Sequence, residues 1–324
     1  VIWDQLIYRC NSLSFSVSIN SCLRCNLRCS FCYLSKDQLK DPTLLPLSVL
    51  NDKLVEISKY KKITHVDLYG GEITLLDGEY IQGTIDVIRN HYSGKVSVIT
   101  NLTTVPAWLS GPDIDLSVSW DYTEREQNTI VMNNMVALDT PFHVLMLASK
   151  GMIEWDDATM MEAISVCNTL PKLQSVEIKP YSTNQANTDD TSFKDYEGFV
   201  RRWIELSPIE SRGYEFVTES NINRVLDGKG HAWSDDHIYV TPDGDFAVLE
   251  FDRNGHEYFL PVYDWFDYLK WVMDEYLTFN TNKHCGDCEF RGRCMSEHLR
   301  PIKNFDVESC SGLKGLLEWY RTTK

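Results

Sequence analysis

The chain is short of positive charge. Its 31 Lys and Arg stand against 47 Asp and Glu in 324 residues, a formal net charge of −16. Such a field opposes unspecific binding to nucleic acid or to anionic lipid, so neither is expected as a partner. Long apolar runs are lacking too. No stretch is apolar for long enough to span a bilayer, and Val1-Ile-Trp-Asp-Gln-Leu-Ile-Tyr-Arg-Cys10 lacks the basic region and apolar run of a secretory signal. A cytoplasmic location is expected. What the chain does have is a hydrophobic content of 43%, enough for a large core, and ten cysteines. In an extracellular chain ten cysteines would suggest disulfides, but most of these fall into two clusters, which argues for a reducing compartment and for metal.

The first cluster is Cys25-Asn-Leu-Arg-Cys29-Ser-Phe-Cys32-Tyr33. Three soft thiolates on one tight loop can hold three corners of a cubane iron–sulfur cluster, which leaves the fourth iron without a protein ligand. An open iron can bind a substrate or cosubstrate, whereas a cluster capped by four cysteines normally only passes electrons. The plainer alternatives are a zinc knuckle or buried free thiols. Zinc sites, however, usually show paired CxxC units or Cys/His sets.

Along the chain, strands alternate with helices. Residues 13–19 read as a strand by their period-2 pattern and lead directly into the cysteine loop. Further strands are expected at 63–69, 95–100, 114–120, 142–148 and 175–180, with helices at 47–60, 78–90, 124–138, 155–170 and 193–206. Six β/α units in a row predict an α/β fold with a parallel sheet, since parallel neighbours need crossover connections of this length. After about residue 207 the alternation is expected to stop. A hairpin at 237–248 turned by Pro242-Asp-Gly244 and an aromatic-rich helix at about 262–279 are predicted there. The expected division is 1–206 and 207–324.

The spacing CxxxCxxC with Tyr33 directly after it, following a strand and followed some forty residues later by Gly70-Gly71-Glu72, resembles the radical S-adenosylmethionine (radical SAM) superfamily. The resemblance implies a partial TIM-type barrel of six β/α units with its chemistry at the carboxyl ends of the strands. It implies a [4Fe–4S] cluster on Cys25, Cys29 and Cys32 whose open iron chelates S-adenosylmethionine. An electron from that cluster cleaves the sulfonium, and the 5′-deoxyadenosyl radical removes a hydrogen from substrate. By the same carry-over Gly70, Gly71 and Glu72 contact the methionyl amino group and Tyr33 lies near the adenine. Ser119, in Ser119-Trp-Asp121, stands where a family motif contacts ribose or carboxylate, and Asn101 ends the third strand near the cofactor. Read without the resemblance, Gly70-Gly71-Glu72 is a turn after a strand, and Ser119 is a strand-end serine capping the next helix.

The second cysteine set is Cys285-Gly-Asp-Cys288-Glu-Phe-Arg-Gly-Arg-Cys294, with Cys310 sixteen residues later. It is similar to the SPASM extension of radical SAM peptide-modifying enzymes, in a reduced, twitch-like form. His298 stands where a further clustered cysteine would be, and Leu249 stands five residues after Gly244 where an upstream one would be. In the family both positions serve a first auxiliary cluster, so the resemblance implies one auxiliary [4Fe–4S] cluster with four ligands, Cys285, Cys288, Cys294 and Cys310. Zinc on Cys285, Cys288, Cys294 and His298 is the competing assignment.

Cys10, Cys22 and Cys167 remain as ordinary thiols. Asp67, Tyr69, His143, Glu177, Lys179 and Tyr181 stand on strands and could line a substrate cavity, a salt bridge being the plainer reading of Glu177 and Lys179. The expected function is hydrogen abstraction from a ribosomally made peptide, leading to cross-linking, epimerisation or oxidation, with flavodoxin or ferredoxin as reductant. The alternative is a dehydrogenase or carbon-skeleton enzyme acting on a small molecule. No separate leader-recognition domain is expected upstream of the first strand.

Overall fold

The computed structural model describes residues 15–181, 191–249, 259–294, 310 and 312–324. Six strands come first: β1 (Phe15–Asn20), β2 (Ile63–Tyr69), β3 (Val96–Thr100), β4 (Ile114–Ser119), β5 (Phe142–Ala148) and β6 (Leu173–Pro180). Each pairs with the next in parallel. Parallel pairing follows from the crossovers, which carry α1 (Leu47–Ser58), α2 (Gly78–Arg89), α3 (Asn128–Ala137), a short α4 (Lys150–Ile153) and α5 (Asp157–Thr169). Between β3 and β4 a 3-10 turn (Ala107–Ser110) serves instead. Then follow α6 (Phe193–Leu206), β7 (Glu215–Phe216), α7 (Val217–Leu226), β8 (His237–Val240), β9 (Phe246–Leu249), β10 (Phe259–Val262), α8 (Trp265–Thr281) and α9 (Lys314–Thr323).

The expected open barrel of six units is present, and it is wider than expected. One ten-stranded sheet runs β10-β9-β8-β1-β2-β3-β4-β5-β6-β7. The hairpin turns at Gly244, whose φ of 82° suits a residue without a side chain, and the Thr241 amide donates to the Asp245 carbonyl across it. It is no separate unit, because β8 lies parallel to β1 with Ser18 opposite Tyr239. The alternation also does not stop at 207, since β7 and α7 add one more strand and helix.

Burial explains the strand pattern. Phe15, Val17 and Ile19 of β1, Val66 and Leu68 of β2, and Val144 and Met146 of β5 face the helices and join the main core. Ser18, Asp67, Tyr69, His143, Glu177 and Lys179 alternate with them and so face the concave side. The helices begin where the sequence signals them. Asp77 caps α2, Asp156 caps α5 and Asp264 caps α8 through their side chains, and Ser192 with Asp195 forms a capping box on α6. On α1, Leu50, Leu54 and Ile57 repeat at helical spacing and are wholly buried. The expected helix at 124–138 starts only at Asn128, because Gln127 adopts a left-handed conformation with φ 59°. No described helix is long and apolar enough to cross a membrane.

Candidate active site

The chain leaves β1 at its carboxyl end and passes directly into the cysteine loop. Backbone pairing pins that loop to the end of β2. The Gly71 amide donates to the Cys22 carbonyl at 2.9 Å, and the Glu72 amide to the Arg24 carbonyl at 2.8 Å. The two glycines permit this approach. A Cβ on Gly70 would lie 2.2 Å from the Cys22 oxygen, and one on Gly71 would lie 2.2 Å from the Arg24 oxygen and 2.3 Å from that of Leu23. These glycines therefore have a task that the sequence does not announce, which is to let the cysteine loop lie flat on the strand end.

Glu72 is 1% exposed and its carboxylate is fully engaged. One oxygen accepts from the Thr74 amide (3.0 Å), the Thr74 hydroxyl (2.7 Å) and the Thr100 hydroxyl (2.5 Å), and the other accepts from the Asn101 amide (2.7 Å). The side chain thus ties the end of β2 to the end of β3. Asn101 carries the link onward, its Nδ2 donating to Asn26 Oδ1 at 3.0 Å and reaching Cys25 Sγ at 3.8 Å. Tyr33 donates its hydroxyl to the Gly70 carbonyl at 3.2 Å and packs edge-on against Phe259. Ser119 is half-buried at the last position of β4.

The loop brings Cys25, Cys29 and Cys32 together. Burial pushes the Cys25 thiol up to about 11, and the Cys32 and Cys29 sulfurs are near enough to add to that rise. Burial likewise raises Cys29 and Cys32, with the Arg125 guanidinium opposing the rise at both. Cys22 is not among the sulfurs that act on Cys25; it is buried, and its own sulfur contacts the Arg24 carbonyl at 3.9 Å. Arg125 was not singled out from the sequence. It is held by Asp121, a residue with no exposure, through Nε at 2.8 Å and Nη2 at 2.5 Å, and its Nη1 lies 3.7 Å from Cys29 Sγ. The spacing Asp121 to Arg125 was visible, but its position in a turn was not.

Deeper on the concave face, a polar network joins three adjacent strands. Ser18 Oγ lies 2.8 Å from His237 Nε2 and donates to Asp67 Oδ2 at 3.1 Å, while Asp67 Oδ1 lies 2.8 Å from His65 Nε2. His143 sits 2.7 Å from Ser175 Oγ and 3.4 Å from Asp115. Glu177 and Lys179 form an ion pair at 3.4 Å, which is the plainer of their two readings, and Tyr181 is buried at the end of that strand. Burial alone would raise the Asp67 carboxyl, but His65, His237 and Ser18 together hold it below the usual range. The Asp67 bond in turn raises His65 against the effect of burial.

The sign of the pH dependence follows. A depressed carboxylate contributes stability above its unfolded pKa, a raised imidazole below its own, so the pair acts fully between about pH 4 and pH 6.5. Its contribution falls as pH drops through the lowered Asp67 value or climbs through the raised His65 value. Asp67→Asn should return His65 toward the ordinary imidazole range and cost about 1 kcal/mol inside that window, the half-exposed ring being screened by water. Imidazole NMR titration with urea unfolding at two pH values checks this, and an unmoved His65 would contradict it.

The second cysteine set converges on one cavity at the end of α8, lined by Phe279, Cys285, Cys288, Cys294, Cys310 and Leu313 among others. The Cys288 amide donates to the Cys285 carbonyl at 3.1 Å, the Cys294 amide to the Phe290 carbonyl at 3.0 Å, and the Gly312 amide to Cys310 Sγ at 3.3 Å. Burial, then the Cys310 and Cys288 sulfurs, push the Cys285 thiol up to about 11. His298, the ligand in the competing zinc assignment, and Cys10 lie outside the described residues. Leu249 packs among Tyr239, Ala247 and Phe259, an apolar cluster with Tyr33 and Tyr69 at its edge. Cys167 is buried inside α5 and its thiol is pushed far up by that burial.

No protein-family model matches the chain, and no curated protein matches it by sequence. Solved structures do match. The anaerobic sulfatase maturase anSMEcpe with bound AdoMet is 16% identical, aligns over 94% of each chain and gives a TM-score of 0.66. The same protein with AdoMet and the Kp18Cys peptide aligns over 86% of this chain and 88% of its own, at 16% identity and a TM-score of 0.65. Streptococcus suis SuiB bound to its precursor peptide SuiA is 13% identical over 76% of this chain and 62% of its own, with a TM-score of 0.56. The fold of the chain is that of these radical SAM enzymes, an open β/α barrel followed by a smaller carboxyl-terminal region.

Proposed function

We propose that the chain is a radical SAM enzyme that modifies a ribosomally made peptide by taking a hydrogen atom from one of its carbons. The observation that carries this reading is the convergence of Cys25, Cys29 and Cys32 at the strand ends, with Cys22 turned toward the Arg24 carbonyl instead. A cubane held by that trio keeps one iron open. The donor set fits such a group, because three half-buried sulfurs on one short loop are soft donors of the kind that iron–sulfur clusters take. When bound, the reduced cluster supplies the electron that splits S-adenosylmethionine.

The chain's own residues hold and orient. Gly70, Gly71 and Glu72 fix the loop and offer backbone at the cofactor, Tyr33 bounds the adenine side, and Asn101 and Ser119 close the strand ends around it. Glu72 acts through Asn101 and Thr100, since its carboxylate is spent on them. Strands β1 to β6 and their crossovers supply the barrel, which β7 and the β8–β9 hairpin extend at its two edges. The cavity at the end of α8 supplies the auxiliary site, where Cys285, Cys288, Cys294 and Cys310 would fully ligate a second [4Fe–4S] cluster. With no vacant iron, that cluster would pass electrons or brace the region. An electron carrier of the flavodoxin or ferredoxin kind is the reductant we assign.

The peptide substrate rests on two solved structures of the same fold, one holding a precursor peptide and the other a Kp18Cys peptide. Deuterated candidate peptides supplied to the reduced protein should pass deuterium into 5′-deoxyadenosine. Transfer from small metabolites but from none of the peptides would replace this substrate class with the small-molecule one.

A further inference from the structure

We infer that Arg125 is a positioning residue for the amino-terminal cluster: its guanidinium donates to the sulfur of Cys29 and thereby sets how readily that cluster accepts an electron. This rests on the proposed reading of the cysteine trio. The side chain is only 15% exposed and three contacts fix its place. Asp121 takes Nε and Nη2, leaving Nη1 directed at Cys29 Sγ at 3.7 Å. The same guanidinium lies 5.2 Å over the ring of Phe31, one of the two residues between Cys29 and Cys32. Asp121 is itself immobilised, its other oxygen accepting from the Leu147 amide of β5 at 2.5 Å. A clamp anchored on β4 and β5 thus reaches across to a loop that grows from β1.

Adding an electron to an iron–sulfur cluster adds negative charge, and hydrogen bonds to the cysteine sulfurs stabilise the reduced form more than the oxidised one. A guanidinium cannot escape this task by losing its proton. In a poorly hydrated site the interaction is stronger than it would be in water. Asp121 offsets part of the charge, so what faces the cluster is the positive end of an ion pair. The expected influence is therefore moderate. We expect about a tenfold change in the one-electron equilibrium, equivalent to about 59 mV.

The test is a redox titration of the anaerobically reconstituted full chain followed by electron paramagnetic resonance. The amino-terminal cluster is recognised by the change in its signal when S-adenosylmethionine is added. Arg125→Gln should keep its iron and lower the midpoint potential by about 59 mV, a tenfold loss in ease of reduction. Arg125→Lys, which keeps the charge but loses the planar fork, should keep the cluster even where the glutamine variant is poorly folded, and should show a smaller fall. Unchanged potentials in variants that retain the cluster would overturn the assignment. So would unchanged potentials with a weakened affinity for S-adenosylmethionine, which would make Arg125 a cofactor contact instead. If the unmutated chain assembles no cluster on the trio, the reading of the site fails and not the role of Arg125 alone.

Discussion

Alanine at Cys25, Cys29 or Cys32 is expected to abolish reductive cleavage of S-adenosylmethionine while leaving the protein folded. The loop depends for its shape mainly on backbone bonds rather than on these sulfurs. Its backbone is fixed by the bonds of the Cys22 and Arg24 carbonyls to the end of β2 and by the Cys25 amide on Leu39, none of which uses a cysteine sulfur. Unfolding should therefore move by no more than a few degrees. Outer-shell changes around metals cost about 10- to 100-fold, so loss of a ligand should reduce cleavage by at least about 100-fold. Iron should fall from about eight to about four per chain, four belonging to each cubane. Cys285→Ala and Cys310→Ala are the contrasting pair. They should lose the same amount of iron and still cleave the cofactor, because the cavity at the end of α8 is built from residues separate from the barrel loop. Full metal retention by both would remove the auxiliary cluster from the account.

Gly71→Ala should be the most damaging change that touches no ligand. The added carbon would meet the Arg24 oxygen at 2.2 Å, the Leu23 oxygen at 2.3 Å and the Leu23 carbonyl carbon at 2.4 Å, all of them backbone. No rotamer change relieves such contacts, so the cysteine loop must lift from β2. Lifting breaks the two backbone bonds that hold it, and overpacking with lost hydrogen bonds together cost about 3 kcal/mol. The loss of cluster binding should exceed the loss of fold, since the displaced segment carries all three thiols. Gly198→Ala on α6 is the control. Its Cβ would meet nothing within 4 Å, and helix propensity should make the change stabilising by up to about 1 kcal/mol. Thermal melts with iron content measured on the two variants side by side check both expectations.

Much of the barrel was legible because its signals are local. The period-2 burial of β1 and β5 follows from alternating residues, and Asp77, Asp156, Ser192 and Asp264 mark helix starts by caps that act within three residues. What escaped is non-local or very short. The pairing of β8 with β1 joins residues more than 200 apart in the chain, and β7 has two residues and β10 four. The pairing of Arg125 with Asp121 was hidden because the segment between β4 and α3 looks helical, whereas Tyr122 and Gln127 take positive φ and fold it into a turn beside the trio. Glu72 shows the same limit within a motif. Its position after β2 was evident, but that Thr74, Thr100 and Asn101 consume its carboxylate depends on where β3 ends.

The most direct measurement is anaerobic reconstitution of the full chain with iron and sulfide, followed by reduction in the presence of S-adenosylmethionine and quantification of 5′-deoxyadenosine. The account predicts its formation, together with a spectroscopic change at a cluster that disappears in Cys25→Ala. Zinc on the three sulfurs, or an intact cubane there that never cleaves the cofactor, would contradict it.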